Sequence, residues 1–253
     1  MLVDYHIHPL GHQDRAMTAE NLKEFMEEAI NKGLAEIGFA DHNRYYQQFD
    51  FALVQQVAKG YPELKVRTGI EMDYTPGEEV EINDFLEQFE LDYVIGSIHY
   101  LDGWMFDHPD YKAEYQNWGL DELYQTYFNY IKQAAQSNLF DFLGHLDLIK
   151  IFNFKPEGSV LDIVAPVLEV IAENDLAIEI NTNGLNKPVG EFYPSKEILE
   201  RAYQLEIPIT LSSDAHIAQR VGENLIEVRD LLRGIGYREI ATFKERERKM
   251  VEL

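Results

Sequence analysis

The stretch LVDYHIH, residues 2–8, decides how the chain is read. It is a short β-rich run closed by Pro9, and its polar residues His6 and His8 stand two apart. In an extended strand such residues project to the same side. The same form, an apolar run that ends on polar residues, recurs as EIGFADH (36–42), KVRTGIEMD (65–73), YVIGSIH (93–99), FLGHLD (142–147), AIEINTN (177–183) and ITLSSDAH (209–216). Helical patterns lie between these runs. In the first, Leu22, Phe25, Met26, Ala29 and Ile30 follow the i, i+3, i+4 spacing, with Thr18 as N-cap and Gly33 as stop. Others run after Asp121 (Leu123, Tyr124, Tyr127, Phe128, Ile131), from near Ser159 (Val164, Val167, Leu168, Ile171), after Pro194-Ser195, and through Leu225, Val228 and Leu231. Seven strand–helix units predict a parallel sheet. Polar residues at nearly every strand end favour a closed, distorted TIM-like (β/α)7 barrel, because a barrel gathers strand C-termini into one mouth. No linker, repeat or low-complexity tract divides the chain, so residues 1–253 read as a single α/β domain.

Composition narrows the chemistry. The 253 residues contain no cysteine, so any metal must be held by His and carboxylate, and a disulfide framework is excluded. The charge balance is 45 acidic against 22 basic residues, a net of −23. Such a surface repels nucleic acid and anionic membranes, and it says little about a small substrate, because a metal cluster sets its own local field. No apolar run approaches the length of a membrane span and the N-terminus carries no secretory pattern, so a cytoplasmic location is the expectation. Neither a GxGxxG turn nor a P-loop follows the first strand.

A lone histidine is usually a surface or core residue. Here seven of eight, His6, His8, His12, His42, His99, His145 and His216, lie in or just after strand ends of five different strands, and Glu71 and Asp214 occupy equivalent places. Asp214 and His216 stand two apart, as His6 and His8 do. Imidazole and carboxylate without sulfur suit Zn, Mn or Fe. Nine donors are too many for one tetrahedral ion, so two or three ions are implied.

The motifs DYHIH (4–8), FADHN (39–43), GIEMDY (69–74), SIHY (97–100), GHLD (144–147) and SSDAH (212–216) occur in the order found in the PHP (polymerase and histidinol phosphatase) superfamily, which this chain resembles from Val3 to about Phe243. LDGWMFDHPDY (101–111) and EINTNGLNKPVGEFYPS (179–195) resemble the histidinol-phosphatase branch. The resemblance implies a seven-stranded barrel, three divalent metals with zinc foremost, and hydrolysis of a small phosphate monoester such as L-histidinol phosphate. It implies a first metal on His6, His8, Glu71 and Asp214, a second on Glu71, His99 and His145, and a third on His12, His42 and His216. Glu71, Asp214 and His42 become the candidates for catalysis.

Lys187, Arg15, Arg44 and Trp104 are the candidates for substrate contact, with Arg220 and Phe106 behind them. Relatives often carry an Arg two residues after the NTxG glycine, where this chain has Asn186 followed by Lys187. Asp4, Asp41 and Asp147 are expected to orient ligand histidines, and His108 to be an ordinary loop residue. Three alternatives stand beside this reading: a PHP phosphoesterase with another substrate, a binuclear amidohydrolase, and a non-catalytic metal-binding domain. The amidohydrolase usually needs a carbamylated Lys near the middle strand, and here Glu71 stands in the bridging role.

Overall fold

Each of the seven β-rich runs forms a strand in the computed structural model, which describes residues 1–253. They are β1 (Val3–Ile7), β2 (Glu36–Phe39), β3 (Lys65–Asp73), β4 (Tyr93–Ser97), β5 (Phe142–Leu143), β6 (Ala177–Asn181) and β7 (Ile209–Ser212). They hydrogen-bond in chain order in one sheet. The pairs β1/β2, β2/β3 and β5/β6 are parallel. A parallel bridge from Ile7 to Ala215 brings the segment after β7 back to β1. One helix follows each strand: α1 (Ala19–Asn31), α2 (Phe51–Ala58), α3 (Glu79–Leu86), α4 (Leu120–Gln136), α5 (Val160–Glu173), α6 (Lys196–Gln204) and α7 (Leu225–Ile235). The architecture is the distorted TIM-like (β/α)7 barrel.

Local chemistry accounts for the elements. The Thr18 hydroxyl accepts from Asn21 N at 3.1 Å and caps α1, which buries Leu22, Phe25, Met26 and Ala29. Strands β1, β2 and β4 are buried along their whole length, which is why they read as continuous apolar runs. Helices α2 and α3 escape a periodicity reading. Each has eight residues and buries only two, Val54 and Val57 in one, Ile82 and Leu86 in the other. A C-terminal hairpin, Glu239–Lys244 with Glu247–Glu252, also departs from the expectation. Its turn residues Glu245 and Arg246 both have positive φ, as a two-residue hairpin requires, without the usual Asn-Gly. Asp92 holds the turn instead, accepting from Glu245 N at its side chain and from Arg246 N at its carbonyl.

The chain falls into two compact units. One comprises Met1–Met72, Glu90–Ile95 and Ile209–Leu253, the other Asp73–Phe89 and Gly96–Pro208. The core of the first centres on Tyr5, with Tyr93 and Phe243 edge-on at 5.1 and 5.6 Å between ring centres. A Cβ at Gly38 or Gly69 would collide with the Tyr93 ring, so these strands need glycine there. In the second unit Phe106, Tyr115, Tyr127 and Phe128 are fully buried. Trp104 joins their cluster, 5.0 Å from the Tyr115 ring and stacked 6.2 Å from Trp118.

Candidate metal centre

The first unit gathers seven of the nine expected donors around β1. Backbone pairing does the positioning. Glu71 N donates to Asp41 O at 3.0 Å, which extends the β2/β3 pairing and sets His42 beside Glu71. His8 N donates to Ala215 O at 2.9 Å and Ala215 N to His6 O at 3.2 Å, which brings Asp214 and His216 alongside. Asp214 adopts a positive φ of 51°, a conformation that Asp tolerates better than most residues.

Glu71 Oε2 lies 3.3 Å from His6 Nε2, 3.6 Å from His8 Nε2 and 2.8 Å from His42 Nδ1. Asp214 Oδ1 lies 3.3 Å from His8 Nε2 and 3.4 Å from His216 Nδ1. The His8 ring stacks on His216 at 4.2 Å and on His42 at 4.8 Å. Two trios, His6/His8/Glu71 and His8/His42/His216, each offer donor atoms within 4.8 Å of one another. His6, His8 and Glu71 are sealed from solvent, His12 is exposed, and its ring lies 4.3 Å from His216.

The donors fit divalent metals. His216 Nε2 and both ring nitrogens of His8 are buried and make no hydrogen bond. Leaving such groups unmatched costs about 1–3 kcal/mol each, and a cation is the partner a ring of imidazole and carboxylate would accept. Burial and the neighbouring His8 hold His216 well below the usual histidine range, so its ring is neutral, the form that ligates. Burial pushes the Asp214 carboxyl up, but His6, His8 and His216 outweigh it and keep it ionised. Burial pushes His8 down, but Asp214 and Asp41 outweigh it and lift its pKa to about 9, so a metal ion would bind there by displacing a proton.

The second unit holds His99 and His145, with ring centres 5.0 Å apart and edge-on. Asp73, which ends β3, meets His99 Nδ1 at 2.5 Å. His145 has a φ of 20°, and its N donates to Glu179 Oε2 at 2.7 Å. Asn181 Nδ2 donates to the same carboxylate oxygen at 3.0 Å. Asp73 and Glu179 are the supports that reading the sequence missed. Asp73 stands two residues beyond Glu71 in GIEMDY and so shares its side of the strand. Glu179 is a charge inside the apolar run AIEIN.

Of the three aspartates expected to orient histidines, Asp41 faces His8 Nδ1 at 3.5 Å and accepts from Leu10 N at 3.1 Å. Asp147 does otherwise, and Asp4 reaches a ligand histidine only through the His6 backbone N, at 3.5 Å. Asp4 accepts from Ser213 and Gly222 and so fixes the turn after β7. Asp147 pairs with Lys150 and accepts from Ser195 N. Among the expected substrate contacts, Arg15 lies against Asp14 and Arg44 over the Tyr45 ring. Arg220 pairs with Glu223, and Lys187 is half-buried in the loop after β6. Phe106 belongs to the core. His108 is exposed, its Nδ1 accepting from Asp110 N at 3.3 Å.

The chain is similar along most of its length to known proteins. The chain is 36% identical over 261 residues, 97% of each chain, to a Deinococcus radiodurans protein named "Probable histidinol-phosphatase". It is 29% identical over 260 residues to the histidinol-phosphatase of Bacillus subtilis, covering 87% of this chain and 95% of that one. The crystal structure of a Lactococcus lactis histidinol phosphate phosphatase complexed with zinc, L-histidinol and phosphate superposes with a TM-score of 0.80 at 24% identity, covering 98% of each chain, and shows the same fold. The PHP domain model matches residues 4–183, and on that match the chain belongs to the PHP domain family.

Proposed function

We propose that this protein is a metal-dependent phosphatase that hydrolyses L-histidinol phosphate to L-histidinol and phosphate, a step of histidine biosynthesis, with residues 1–253 forming one PHP domain. The observation that carries the chemistry is the buried imidazole and carboxylate set around His8, whose ring nitrogens meet no hydrogen-bonding partner. The substrate rests on likeness: relatives that match this chain along most of its length are named histidinol-phosphatases.

Three divalent ions, zinc foremost and Mn or Fe in its place, would be held by His6, His8, His12, His42, Glu71, His99, His145, Asp214 and His216. When bound, such ions polarise a phosphoryl oxygen and lower the pKa of water. The chain's own residues prepare for this. Asp41, facing His8 Nδ1, turns Nε2 toward the carboxylates of Glu71 and Asp214. Asp73 holds His99 by Nδ1 in the same way. Glu71 faces three imidazoles at once, so its carboxylate would be shared among the ions that those rings would hold. In the reaction the P–O bond to the histidinol alkoxide breaks, the oxygen of water joins phosphorus, and a proton passes to the alkoxide. Lys187 is the cation we assign to the phosphate, because Arg15 and Arg44 already face Asp14 and Tyr45. Trp104 stays a candidate wall for the imidazole of the substrate.

The test is kcat/KM on L-histidinol phosphate against p-nitrophenyl phosphate and sugar phosphates, with metal content measured on the same sample. Histidinol phosphate is expected to be the most efficient substrate. Equal or lower efficiency would leave a phosphatase with a different substrate, and no hydrolysis of any ester by the zinc- or manganese-loaded protein would end the phosphatase reading.

A further inference from the structure

Lys150 is a buried cation in a turn. Its side chain is 7% exposed, on the short 3₁₀ turn Leu148–Lys150 that follows His145. Nζ lies 2.9 Å from Asp147 Oδ2 and donates to Glu191 Oε2 at 3.1 Å and to Phe192 O at 3.0 Å. The Tyr193 ring stands 5.5 Å away. Asp147 Oδ2 in turn accepts from Ser195 N at 3.0 Å. Two backbone links run in parallel. Val189 N donates to Ile151 O at 3.1 Å, and Asn181 and Tyr193 exchange both hydrogen bonds at 2.7 and 2.9 Å.

Residues 189, 191, 192 and 195 are thus fastened to the 147–151 turn, with the Tyr193 ring over Lys150, and Lys187 precedes them in the same loop, its N donating to Gly184 O at 3.1 Å and its O accepting from Gly190 N at 2.9 Å. An ammonium taken out of water is expensive, and a buried ion pair is poor evidence of stability. Its best-attested use is to fix one arrangement among several. Lys150 satisfies all three of its N–H groups on one carboxylate at the turn and on two acceptors in the loop, which is how a point charge with three donors fixes a chain segment.

We propose that Lys150 is a positioning residue: it locks the 183–195 loop to the His145 turn and thereby places Lys187 for the phosphate group. The inference rests on the phosphatase reading only for what the loop binds. The fastening itself is tested without turnover. In Lys150→Met, hydrogen–deuterium exchange of peptides covering 183–195 rises, while peptides from the helix Leu120–Gln136 keep their protection. KM for the phosphate ester, and Ki for inorganic phosphate, rise about tenfold, since a displaced contact outside the chemistry is lost from substrate and product alike. The same variant keeps kcat within about threefold and retains its metal content. Unchanged exchange in 183–195 overturns the proposal. So does faster exchange with KM and Ki within twofold of the parent, or a fall in thermal stability with no other change. If Lys150→Met does not fold, Glu191→Ala removes one anchor at the half-exposed end of the network, and a KM rise of about threefold is expected; no rise overturns the proposal. A parent protein that binds inorganic phosphate but fails to hydrolyse histidinol phosphate refutes the substrate assignment and leaves the loop test standing.

Discussion

Two glutamates in adjoining strands of one unit have opposite surroundings. Glu36 begins β2 and is buried. It accepts from the Tyr5 hydroxyl at 2.5 Å and from Arg67 Nε at 2.6 Å, with Lys65 Nζ at 3.6 Å. The Tyr5 hydroxyl oxygen accepts from Phe243 N, and the Tyr93 hydroxyl donates to Tyr5 O. Every charge in that cluster meets a counter-charge or donor from the protein itself. Glu71, later in the next strand, is equally buried but sets its Oε2 against three imidazoles, beside two His8 nitrogens that hydrogen-bond to nothing. A buried polar network that is complete fixes the fold, and one that lacks a cation is built to receive one. The division follows the strands. The complete network sits where β2 and β3 begin, and the incomplete one where they end, as expected of a barrel whose chemistry gathers at strand C-termini.

Removing metal should break the comparison most completely. Exhaustive chelation is expected to abolish phosphatase activity, and zinc or manganese to restore it, while far-UV circular dichroism keeps its shape because the Tyr5–Glu36–Arg67 cluster needs no ion. Elemental analysis of protein prepared without chelator should find two to three ions per chain by the donor count. One ion or fewer after supplementation would show that the cluster around Glu71 is not a multinuclear centre.

Next comes Glu71→Ala. Loss of a carboxylate that faces three imidazoles should lower kcat/KM by roughly a thousandfold or more, with circular dichroism unchanged. Activity within tenfold of the parent would refute the bridging role proposed for Glu71.

The seven strands were legible because burial on both faces turns them into short apolar runs with polar ends. The donor set was legible because histidines two apart in strands must share a side. Helices α2 and α3 and the C-terminal hairpin were not. Two eight-residue helices with two buried residues each carry too few turns for a period, and the Glu245-Arg246 turn takes its conformation from Asp92, far away in the sequence. The same limit applies to supports of the site. Asp4 and Asp147 looked like partners of ligand histidines by spacing, yet beyond the local contacts with His6 N and Lys150 their oxygens go to Ser213, Gly222 and Ser195, which tertiary structure alone supplies. Asp73 and Glu179, which do support His99 and His145, had no histidine near them in the chain.

Glu36→Gln sharpens the contrast from the other side. The substitution keeps the shape and removes the charge that Arg67 and Lys65 meet. A half-buried Arg67 then loses its strongest partner, so stability should fall by about 1–3 kcal/mol in a denaturant titration. Specific activity of the folded protein should stay at the parent value at a temperature well below the transition. A large loss of kcat with stability intact would mean that the start of the strands takes part in the chemistry and that the two ends of the strands are not divided in function.

The smallest effect is assigned to His108→Ala, and it separates residue type from placement. His108 is the one histidine outside the strand ends. Its side chain is 46% exposed, and Nδ1 accepts from Asp110 N at the start of the segment Pro109–Asn117. The nearest carboxylate, Asp110, lies 3.9 Å away and is itself 84% exposed, so water screens the pair. Deleting the ring removes one solvent-exposed cap and leaves no buried group without a partner. Stability should therefore change by no more than about 0.5 kcal/mol, and kcat, KM and metal content should match the parent. The segment LDGWMFDHPDY makes this a real risk, because it follows β4 and ends near Trp104, where a loop at the strand ends decides what fits. A KM for histidinol phosphate raised about tenfold in His108→Ala, with metal content unchanged, would place His108 against the substrate and extend the functional surface beyond the buried donors.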